Sequence, residues 1–420
     1  MNILQINTMD KGGGAAKVCL ALKRSLEVVG HKTSLFVKLK YSDESNIFIA
    51  KWPNPLVRLV KKITGKDVGS FLSNKVRPFL ANDIDFFKTD RILKTKEFKE
   101  ADIIHCHNLH GNYFKLETLV KMSLLKPIVW TLHDVWAITP HCGRIYSDEQ
   151  SDGFFKCPNA GYDPRLMWDN EPYLKKKKRK LYEQLKDIHL VVPSNWLMEK
   201  VKKSVLGDKN ISLIYNGIDT EVFKPGNKAD ARTKLSLPEN KKIILFLSAI
   251  GADGGKGWNY VKKAIEKYSG DNSVMFICIG RTNQANDKSP GNVLFLDYIK
   301  DEQKIAKYFT ASDIVLFPSL AESFGLVAAE ALASGIPAVV FQAGGIPEII
   351  RHKENGYVAD YGNKDDLLRG IEYIFNLRDE EKKVMSDKSR EKALKLFDQK
   401  IMVADYLELY QKVLTAKKNG

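Results

Sequence analysis

Apolar and polar positions at the start of the chain alternate between strand-like and helix-like patterns. An apolar run at 3–6 is followed by the glycines 12–14, by apolar positions at helical spacing over 18–26, and by a second apolar run at 34–37. Such strand, glycine turn, helix and strand units build parallel sheets covered by helices. Similar strand-like runs lie at 103–105, 128–132 and 190–192. The first half is therefore predicted to be one doubly wound domain.

A second series of strand-like runs begins after residue 226. Its members are the apolar segments 243–247, 274–279, 293–296, 314–317 and 338–341. The two series predict an α/β protein with two doubly wound, Rossmann-like domains, residues 1–215 and 216–399, that face each other across a cleft. The turn-rich segment 216–226 is typical of a hinge or linker. Because ligands of open α/β sheets bind at the carboxyl ends of the strands, the site is expected between the domains.

The last segment of the chain has an amphipathic helical pattern. It places Val403, Leu407, Tyr410 and Leu414 on one face. The periodicity leaves open which domain this helix packs on.

Length and composition exclude several classes of protein. The chain has 420 residues, of which 44% are hydrophobic and 28% charged, which is ordinary for a globular protein and untypical of fibrous or disordered chains. Its apolar runs, such as 243–250, are shorter than the ~18 residues that a membrane-spanning helix needs. The first residues lack the features of a cleaved signal, so a cytoplasmic location is expected.

The net charge of +15 implies an anionic partner, and the first 200 residues carry most of it, with 33 basic and 22 acidic side chains. One basic segment, 56–66, alternates apolar residues with Arg58, Lys61, Lys62 and Lys66 as in a helix lying on an anionic membrane. The run 175–180 is a second basic segment. Both could also be ordinary solvated faces. Nucleic acid is disfavoured because neither interleaved aromatics nor a helix-turn-helix accompanies them.

The five cysteines do not form the pattern of a secreted disulfide framework. His141, Cys142 and Cys157 follow Trp136 in the first half. A structural zinc site needs four ligands and these three are the candidates in the sequence, so no metal is expected and the segment is interpreted as a loop facing an acceptor.

The segment 318–337 carries the most chemical information. It runs from a strand end through Glu322, Ser323 and Gly325 into an alanine-rich helix, whose amino terminus suits a diphosphate. Glu330 lies about two helical turns on from Glu322, so the two carboxylates could contact different hydroxyl groups of one ligand. Taken alone, two glutamates eight residues apart are more often a pair of solvated helix charges.

Two further side chains are candidates by position. Lys256 lies in the glycine-rich turn after the first strand of the second series, where a cation can neutralise a departing diphosphate. His133 follows an apolar strand of the first half and should face the cleft. Its neighbour Asp134 is expected to point the opposite way along that strand.

These motifs occur in an order that resembles the family 4 retaining glycosyltransferases of GT-B fold. The resemblance rests first on the segment from Glu322 to Glu330, which contains Ser-Phe-Gly-Leu. This segment is followed by Gly335-Ile336-Pro337 and by residues 344–348 with the sequence Gly-Gly-Ile-Pro-Glu. The glycines 12–14, the segments 105–108 and 216–219 and the pair Lys256-Gly257 also occur in family order, so the resemblance covers nearly the whole chain.

The resemblance implies a donor site in the second domain. Glu322 would bind hydroxyls of the donor sugar and Glu330 the ribose, while sugar and phosphate would be held by the segment containing Ser323, Phe324, Gly325 and Leu326. Lys256 would neutralise the departing diphosphate. Family members usually carry an arginine where this chain has Gly251, and Arg281 is the candidate to replace it at the nucleotide.

The resemblance also implies roles for the first domain. His133 would hydrogen-bond the donor sugar near the reacting carbon, and His107 and Asn108 would line the acceptor side. The backbone at Gly13 and Gly14 could approach a phosphate or the sugar. The final helix, about 400–420, would pack back on this domain, and the loop with Cys142 and Cys157 resembles that of a family subgroup richer in cysteine.

The function implied is that of a retaining, metal-independent hexosyltransferase without a cofactor. It would transfer sugar from a nucleotide-diphosphate sugar to a growing polysaccharide or lipid-linked oligosaccharide, as in capsule, O-antigen or exopolysaccharide biosynthesis. The enzyme would be cytoplasmic and peripheral at the inner face of an anionic membrane. Two alternatives are a nucleotide-sugar epimerase of the same fold and a non-catalytic membrane adaptor.

Overall fold

A computed structural model describes residues 1–50, 81–85, 87–159, 161, 166–250, 254–281 and 291–419, without the side chains of 249, 250, 281, 418 and 419. The chain forms two compact units, Met1–Ile214 together with Met402–Gly420, and Tyr215–Ile401. Each unit contains a parallel sheet flanked by helices. This confirms the predicted α/β class with two doubly wound, Rossmann-like domains.

The first unit contains a seven-stranded sheet in the order β3-β2-β1-β4-β5-β8-β9. The strands of this unit are β1 Asn2–Met9, β2 Lys32–Leu39, β3 Ile47–Ile49, β4 Ile103–Cys106, β5 Ile128–Thr131, β6 Gln150–Ser151, β7 Phe154–Phe155, β8 Ile188–Val192 and β9 Asn210–Leu213. Among the described residues before 214, the α-helices are α1 Gly14–Val28, α2 Lys96–Glu100, α3 Leu116–Ser123, α4 Glu171–Tyr182 and α5 Asn195–Lys202. Strands β6 and β7 form a separate antiparallel pair.

The apolar runs of the first half coincide with β1, β2, β4, β5 and β8. These strands are buried on both faces and therefore have continuous apolar sequences. The edge strands β3 and β9 were not predicted. Strand β3 has only three residues, and β9 is partly exposed with alternating polar residues, so neither produces such a run.

The second unit contains a six-stranded parallel sheet in the order β12-β11-β10-β13-β14-β15. Its strands are β10 Lys242–Ile250, β11 Val274–Arg281, β12 Val293–Asp297, β13 Ile314–Phe317, β14 Ala338–Phe341 and β15 Gly356–Ala359. Its helices are α6 Lys228–Lys234, α7 Trp258–Lys267, α8 Glu302–Ala311, α9 Leu326–Ala333, α10 Ile346–Ile349, α11 Lys364–Asn376 and α12 Asp379–Leu396.

In each parallel sheet, the strands that follow one another in sequence are added first on one side of a central strand and then on its other side. In the first unit β1 lies between β2 and β4, and in the second unit β10 lies between β11 and β13. Loops that leave the carboxyl ends of the strands at such a point diverge and leave room for a ligand. The glycine turn 12–14, the segment 107–110, Lys256 and Glu322 all follow strands at these two points.

The segment 216–226 is not a linker but part of the second unit. Ile218 and Phe223 are fully buried in its core, and the Ile218 N–H donates a hydrogen bond to the Phe397 carbonyl at 2.7 Å. Turn residues in the sequence signalled irregular backbone correctly, but they do not indicate whether that backbone is packed.

The last helix, α13 Gln399–Asn419, packs on the first unit from residue 402 onward. The Tyr410 hydroxyl lies 2.6 Å from His105 Nδ1, and the Tyr406 hydroxyl lies 2.8 Å from Thr131 Oγ1. The buried stripe of the helix comprises Met402, Val403, Tyr406, Leu409 and Tyr410. The predicted face is therefore partly wrong. Leu407 and Leu414, which were expected in the buried face, are only partly buried.

None of the helices described here has the length and apolar character needed to cross a bilayer.

Candidate functional site

The turn that carries Lys256 is fixed against the loop after β13. Lys256 ends a short 3-10 helix, Gly254–Lys256, and Gly257 follows with φ +77°. A Cβ at Gly257 would lie 1.9 Å from the Pro318 carbonyl oxygen, so only glycine fits this approach. The Leu320 N–H donates to the Gly255 carbonyl at 2.9 Å. The two loops therefore form one packed structure.

Lys256 and Glu322 form an ion pair within this structure. The Glu322 carboxylate also accepts a hydrogen bond from the Ser319 hydroxyl at 2.9 Å. The backbone carbonyl of Glu322 accepts one from the Gly345 N–H at 3.0 Å. Gly344 must be glycine because a Cβ there would lie 1.7 Å from the Glu322 carbonyl oxygen. The loops after β10, β13 and β14 thus meet at Glu322.

The amino terminus of α9 belongs to the same site. Gly325 caps the helix with φ +109°, and Phe324 beside it is buried. The first N–H groups of a helix have no partner within the helix and carry the positive end of its dipole, so this turn can hold an anion. Leu326 is its first residue, and the partly buried Ser323 precedes the cap.

Glu330 lies one turn into α9 and is buried, with 6% of its surface exposed. The alanines around it, Ala328, Ala329 and Ala331, are fully buried and let α9 pack closely on its neighbours.

Ser319, which holds the Glu322 carboxylate, was missed by sequence reasoning. Its position three residues before Glu322 in a strand-end loop is the signal that could have identified it.

The proposed replacement for the family's arginine cannot be compared with its usual position. Strand β11 ends at Arg281, whose side chain is not described. Gly251, which occupies the position of the family's arginine, lies outside the described residues. The contact of Arg281 with the nucleotide remains a prediction.

In the first unit, His107 and His133 contact each other directly. His107 Nδ1 lies 2.9 Å from His133 Nε2, and the rings stack with their centroids 5.2 Å apart. Burial lowers the pKa of His133 to about 4, although the Asp134 carboxylate opposes this shift. Burial, together with His105 and His133, lowers the pKa of His107 well below its usual range. Both rings are therefore neutral at pH 7. His133 is partly exposed, whereas His107 is buried with 1% of its surface exposed, so the acceptor-side role of His107 remains a prediction.

A second pair, His110 and Asp134, was missed by sequence reasoning. His110 Nε2 lies 2.7 Å from Asp134 Oδ2, and Asp134 Oδ1 accepts from the Trp136 N–H at 2.9 Å. Burial lowers the pKa of His110, but the Asp134 carboxylate outweighs it and raises the pKa above its usual value. The expected strand alternation does not apply to Asp134, because β5 ends at Thr131.

The glycine turn of the first unit leaves the start of α1 open. Gly12 and Gly13 have φ angles of +93° and +79°, and a Cβ at Gly13 would meet nothing within 4 Å. Gly14 begins the helix and is exposed. Asn108 is held through its backbone, where its N–H donates to Asn7 Oδ1 at 3.2 Å.

The two basic segments differ in what the structure describes. Residues 56–66 lie outside the described part of the chain. In the second segment Lys178 is fully buried and donates to the Trp136 and Thr139 carbonyls at 2.7 and 3.0 Å. The run 175–180 is therefore not a single solvated face, because one of its cations supports the loop after β5.

Family models match both halves of the chain. A model described as Glycosyltransferase Family 4 matches residues 12–222, and one described as Glycosyl transferases group 1 matches residues 227–392.

Two relatives illustrate the similarity in sequence. N-acetyl-alpha-D-glucosaminyl L-malate synthase of Bacillus anthracis is 28% identical over 236 residues, which cover 54% of this chain and 60% of that protein. The putative colanic acid biosynthesis glycosyl transferase WcaC of Escherichia coli is 24% identical over 364 residues, which cover 84% of this chain and 85% of WcaC.

Solved structures resemble the chain over almost its whole length. Sucrose-phosphate synthase from Thermosynechococcus elongatus has a TM-score of 0.67 at 17% identity and covers 99% of both chains. HepE from Anabaena, solved in complex with UDP and glucose, has a TM-score of 0.65 at 16% identity and covers 98% of this chain and 99% of HepE. At this identity the similarity concerns the fold, and it confirms the predicted GT-B fold.

Proposed function

The chain belongs to glycosyltransferase family 4, and from this membership we propose that it transfers a sugar from a nucleoside-diphosphate sugar to a glycan or lipid-linked glycan. The observation that carries the proposal is the cluster of Lys256, Glu322 and the start of α9 at the carboxyl ends of β10 and β13. A cation, a carboxylate and free helix N–H groups are what a diphosphate joined to a hydroxyl-rich sugar requires.

Each part of the donor has a matching group in the second unit. Lys256 and the N–H groups at Phe324, Gly325 and Leu326 bind the diphosphate, and Glu322 with Ser323 binds sugar hydroxyls. Glu330 binds the ribose. Arg281, whose side chain the structure does not describe, is assigned to the nucleotide by the family resemblance alone. The Anabaena HepE structure with UDP and glucose supports a donor of this chemical class.

The transfer proceeds on one face of the sugar, so the anomeric configuration is retained. The bond from the anomeric carbon to the diphosphate oxygen breaks, the bond to the acceptor oxygen forms on the same face, and the acceptor proton passes to the departing diphosphate. Lys256 and the α9 dipole stabilise the charge on that diphosphate. No carboxylate nucleophile is used, because Glu322 and Glu330 are engaged with hydroxyls.

The first unit contributes neutral hydrogen-bonding groups. His133 bonds the donor sugar near the reacting carbon, while His107 and Asn108 lie on the acceptor side and the backbone at Gly13 and Gly14 approaches a phosphate or the sugar. Neutral rings suit this role because they leave no fixed cation beside an uncharged acceptor hydroxyl. The chemical step needs neither a metal ion nor a cofactor.

Retention is tested by NMR of the first product formed from a donor of known configuration. A product with the donor's configuration, formed equally well with a chelator present, supports the proposed reaction. An inverted product would overturn it. Conversion of the donor sugar to an epimer with no acceptor present would show an epimerase instead.

The acceptor is proposed to lie at a membrane surface. WcaC, whose name assigns it to colanic acid biosynthesis, supports a polysaccharide or lipid-linked acceptor. The basic first half would hold the enzyme on anionic lipid at the inner face of the membrane, where each cation contributes about 1 kcal/mol. Nucleic acid is not proposed as a partner.

Vesicle sedimentation tests the membrane proposal. Changing Lys61, Lys62 and Lys66 to Glu should reduce binding to anionic vesicles at low salt. A control with the same change of charge replaces three exposed lysines of the second unit, Lys300, Lys304 and Lys307, by Glu. Equal binding of the unmodified protein to neutral and anionic vesicles would contradict the proposal.

A further inference from the structure

His141, Cys157 and Glu171 lie together in the first unit, and none of them is assigned to donor or acceptor binding. Their donor atoms all lie within 4.8 Å of one another. His141 Nε2 is 3.7 Å from the Glu171 carboxylate, and His141 itself is fully buried. These three residues are separated by up to 30 positions in sequence. The fold thus brings their metal-binding atoms around one point.

Cys142 lies beside Cys157 and is the fourth candidate ligand, although it is not among the three residues whose donor atoms all lie within 4.8 Å of one another. Its backbone N–H donates to Cys157 Sγ at 3.2 Å, and its thiol hydrogen-bonds the Cys157 thiol. Cys142 is fully buried, and Cys157 is buried with 4% of its surface exposed. The group therefore offers one imidazole, two thiols and one carboxylate.

This donor set selects a particular kind of metal. Thiolate and imidazole ligands favour zinc over magnesium or calcium, which prefer oxygen ligands. Four protein ligands close the coordination sphere, which is typical of structural zinc sites. Glu171 could not be identified from the sequence, because it lies 14 residues after Cys157 and reaches the group only through the placement of α4.

We propose that His141, Cys142, Cys157 and Glu171 form a structural zinc site. The site would connect the loop after β5 to the segment after β7 and to the first turn of α4. The proposal is independent of the transfer reaction, since no step of that reaction uses a metal ion.

The contacts around the site indicate what the metal would stabilise. The Thr139 hydroxyl donates to the Cys142 carbonyl at 2.6 Å, and Lys178 of α4 donates to the Thr139 carbonyl. The same loop begins at His133 and Asp134, directly after β5. A metal bound to His141 and Cys142 would fix the far end of the loop that begins with these two residues.

Metal content of the tag-free protein, purified without chelator, tests the proposal. Elemental analysis should find about one zinc per chain. Replacing zinc by cobalt should give the near-ultraviolet charge-transfer band of a thiolate-bound cobalt. The variants C157S, C142S, H141N and E171Q should each bind zinc at least about tenfold more weakly. C278S removes a buried cysteine of the second unit and should bind zinc normally.

Circular dichroism identifies variants that fail to fold, and E171Q, at a partly exposed position, is expected to fold. The proposal is overturned if the reduced protein takes up no zinc, or if C142S and C157S bind it as tightly as the unmodified chain. The proposal would also be overturned if the protein is isolated with a Cys142–Cys157 disulfide and takes up no zinc after that disulfide has been reduced. None of these results depends on transferase activity.

Discussion

Lys256 donates a hydrogen bond to the Glu322 carboxylate across 66 positions of sequence. The group proposed to bind the diphosphate and the group proposed to bind the sugar are therefore hydrogen-bonded to each other. Under this proposal, a diphosphate that attracts Lys256 would leave Glu322 with the hydroxyl of Ser319 and available to sugar hydroxyls. The pair would thus couple the binding of the two parts of one donor.

Glu322→Gln should lower turnover more than nucleotide affinity. The amide keeps the shape of the side chain but loses the charged hydrogen bonds to Lys256 and to the sugar, which contribute roughly 1.5 to 3 kcal/mol, or about ten- to a hundredfold in kcat. Steady-state kinetics and nucleotide titration separate the two effects. Glu380→Gln, an exposed change in the same unit, is the control. Unchanged kinetics in a folded Glu322→Gln protein would refute the assignment.

Gly344→Ala should displace the Glu322 loop without changing any proposed ligand-binding side chain. The new Cβ would lie 1.7 Å from the Glu322 carbonyl oxygen, so the loop must move. Because misplacement by about 1 Å can cost about a hundredfold in rate, we expect kcat/KM to fall by at least about tenfold. Gly270→Ala is the matched control, since a Cβ there meets nothing within 4 Å. Full activity of Gly344→Ala would show that the position of this loop is unimportant.

The fold could be predicted from the sequence because buried parallel strands have continuous apolar sequences. Strands β13 and β14 have the bounds of the apolar segments 314–317 and 338–341. The start of α9 was predictable for the same local reason, since Gly325 and the alanines after it are adjacent in sequence.

The pairings within the sites could not be predicted in this way. Lys256 meets Glu322 only because Gly257 and Gly344 allow close approaches between loops that are distant in sequence. The burial of Lys178 depends on two carbonyls that face α4 from the loop after β5. Contacts of this kind arise from tertiary packing, which periodicity does not record.

Tyr410→Phe should destabilise the docking of α13 on the first unit. The change removes the hydroxyl 2.6 Å from His105 Nδ1 and leaves that buried nitrogen without this partner, at a cost of about 1 to 3 kcal/mol. Urea unfolding measures the change in the free energy of unfolding. Tyr298→Phe, with 63% of the residue exposed, should leave the curve unchanged. Identical curves for both variants would argue against this hydrogen bond as a stabilising contact.

The stability of the first unit should decrease as the pH falls below about 6.5, the ordinary pKa of histidine. Burial lowers the pKa values of His105, His107 and His133, that of His133 to about 4. Between about pH 4 and 6.5 the unfolded chain therefore binds more protons than the folded chain. The contribution of these three histidines to the free energy of unfolding is complete above about pH 6.5 and is lost towards pH 4. His110 has a raised pKa and acts in the opposite direction, because its contribution to the free energy of unfolding is lost as the pH rises.

Urea midpoints at neutral and acidic pH measure this dependence. His133→Asn should reduce the slope of stability against pH, because the variant cannot take up this proton. His352→Asn in the second unit is the control, since His352 is exposed. A steeper slope in His133→Asn than in the unmodified protein would contradict the lowered pKa.

Calorimetric titration with UDP-, GDP- and ADP-sugars tests the central claim most directly. We expect that at least one of these donors binds and that Glu330→Ala weakens its binding about ten- to a hundredfold through the lost ribose contact. We also expect that the free sugar of that donor does not bind measurably, because it lacks the diphosphate proposed to contact Lys256 and α9. Absence of binding by every donor, or equal affinity of the unmodified chain and Glu330→Ala, would contradict the account.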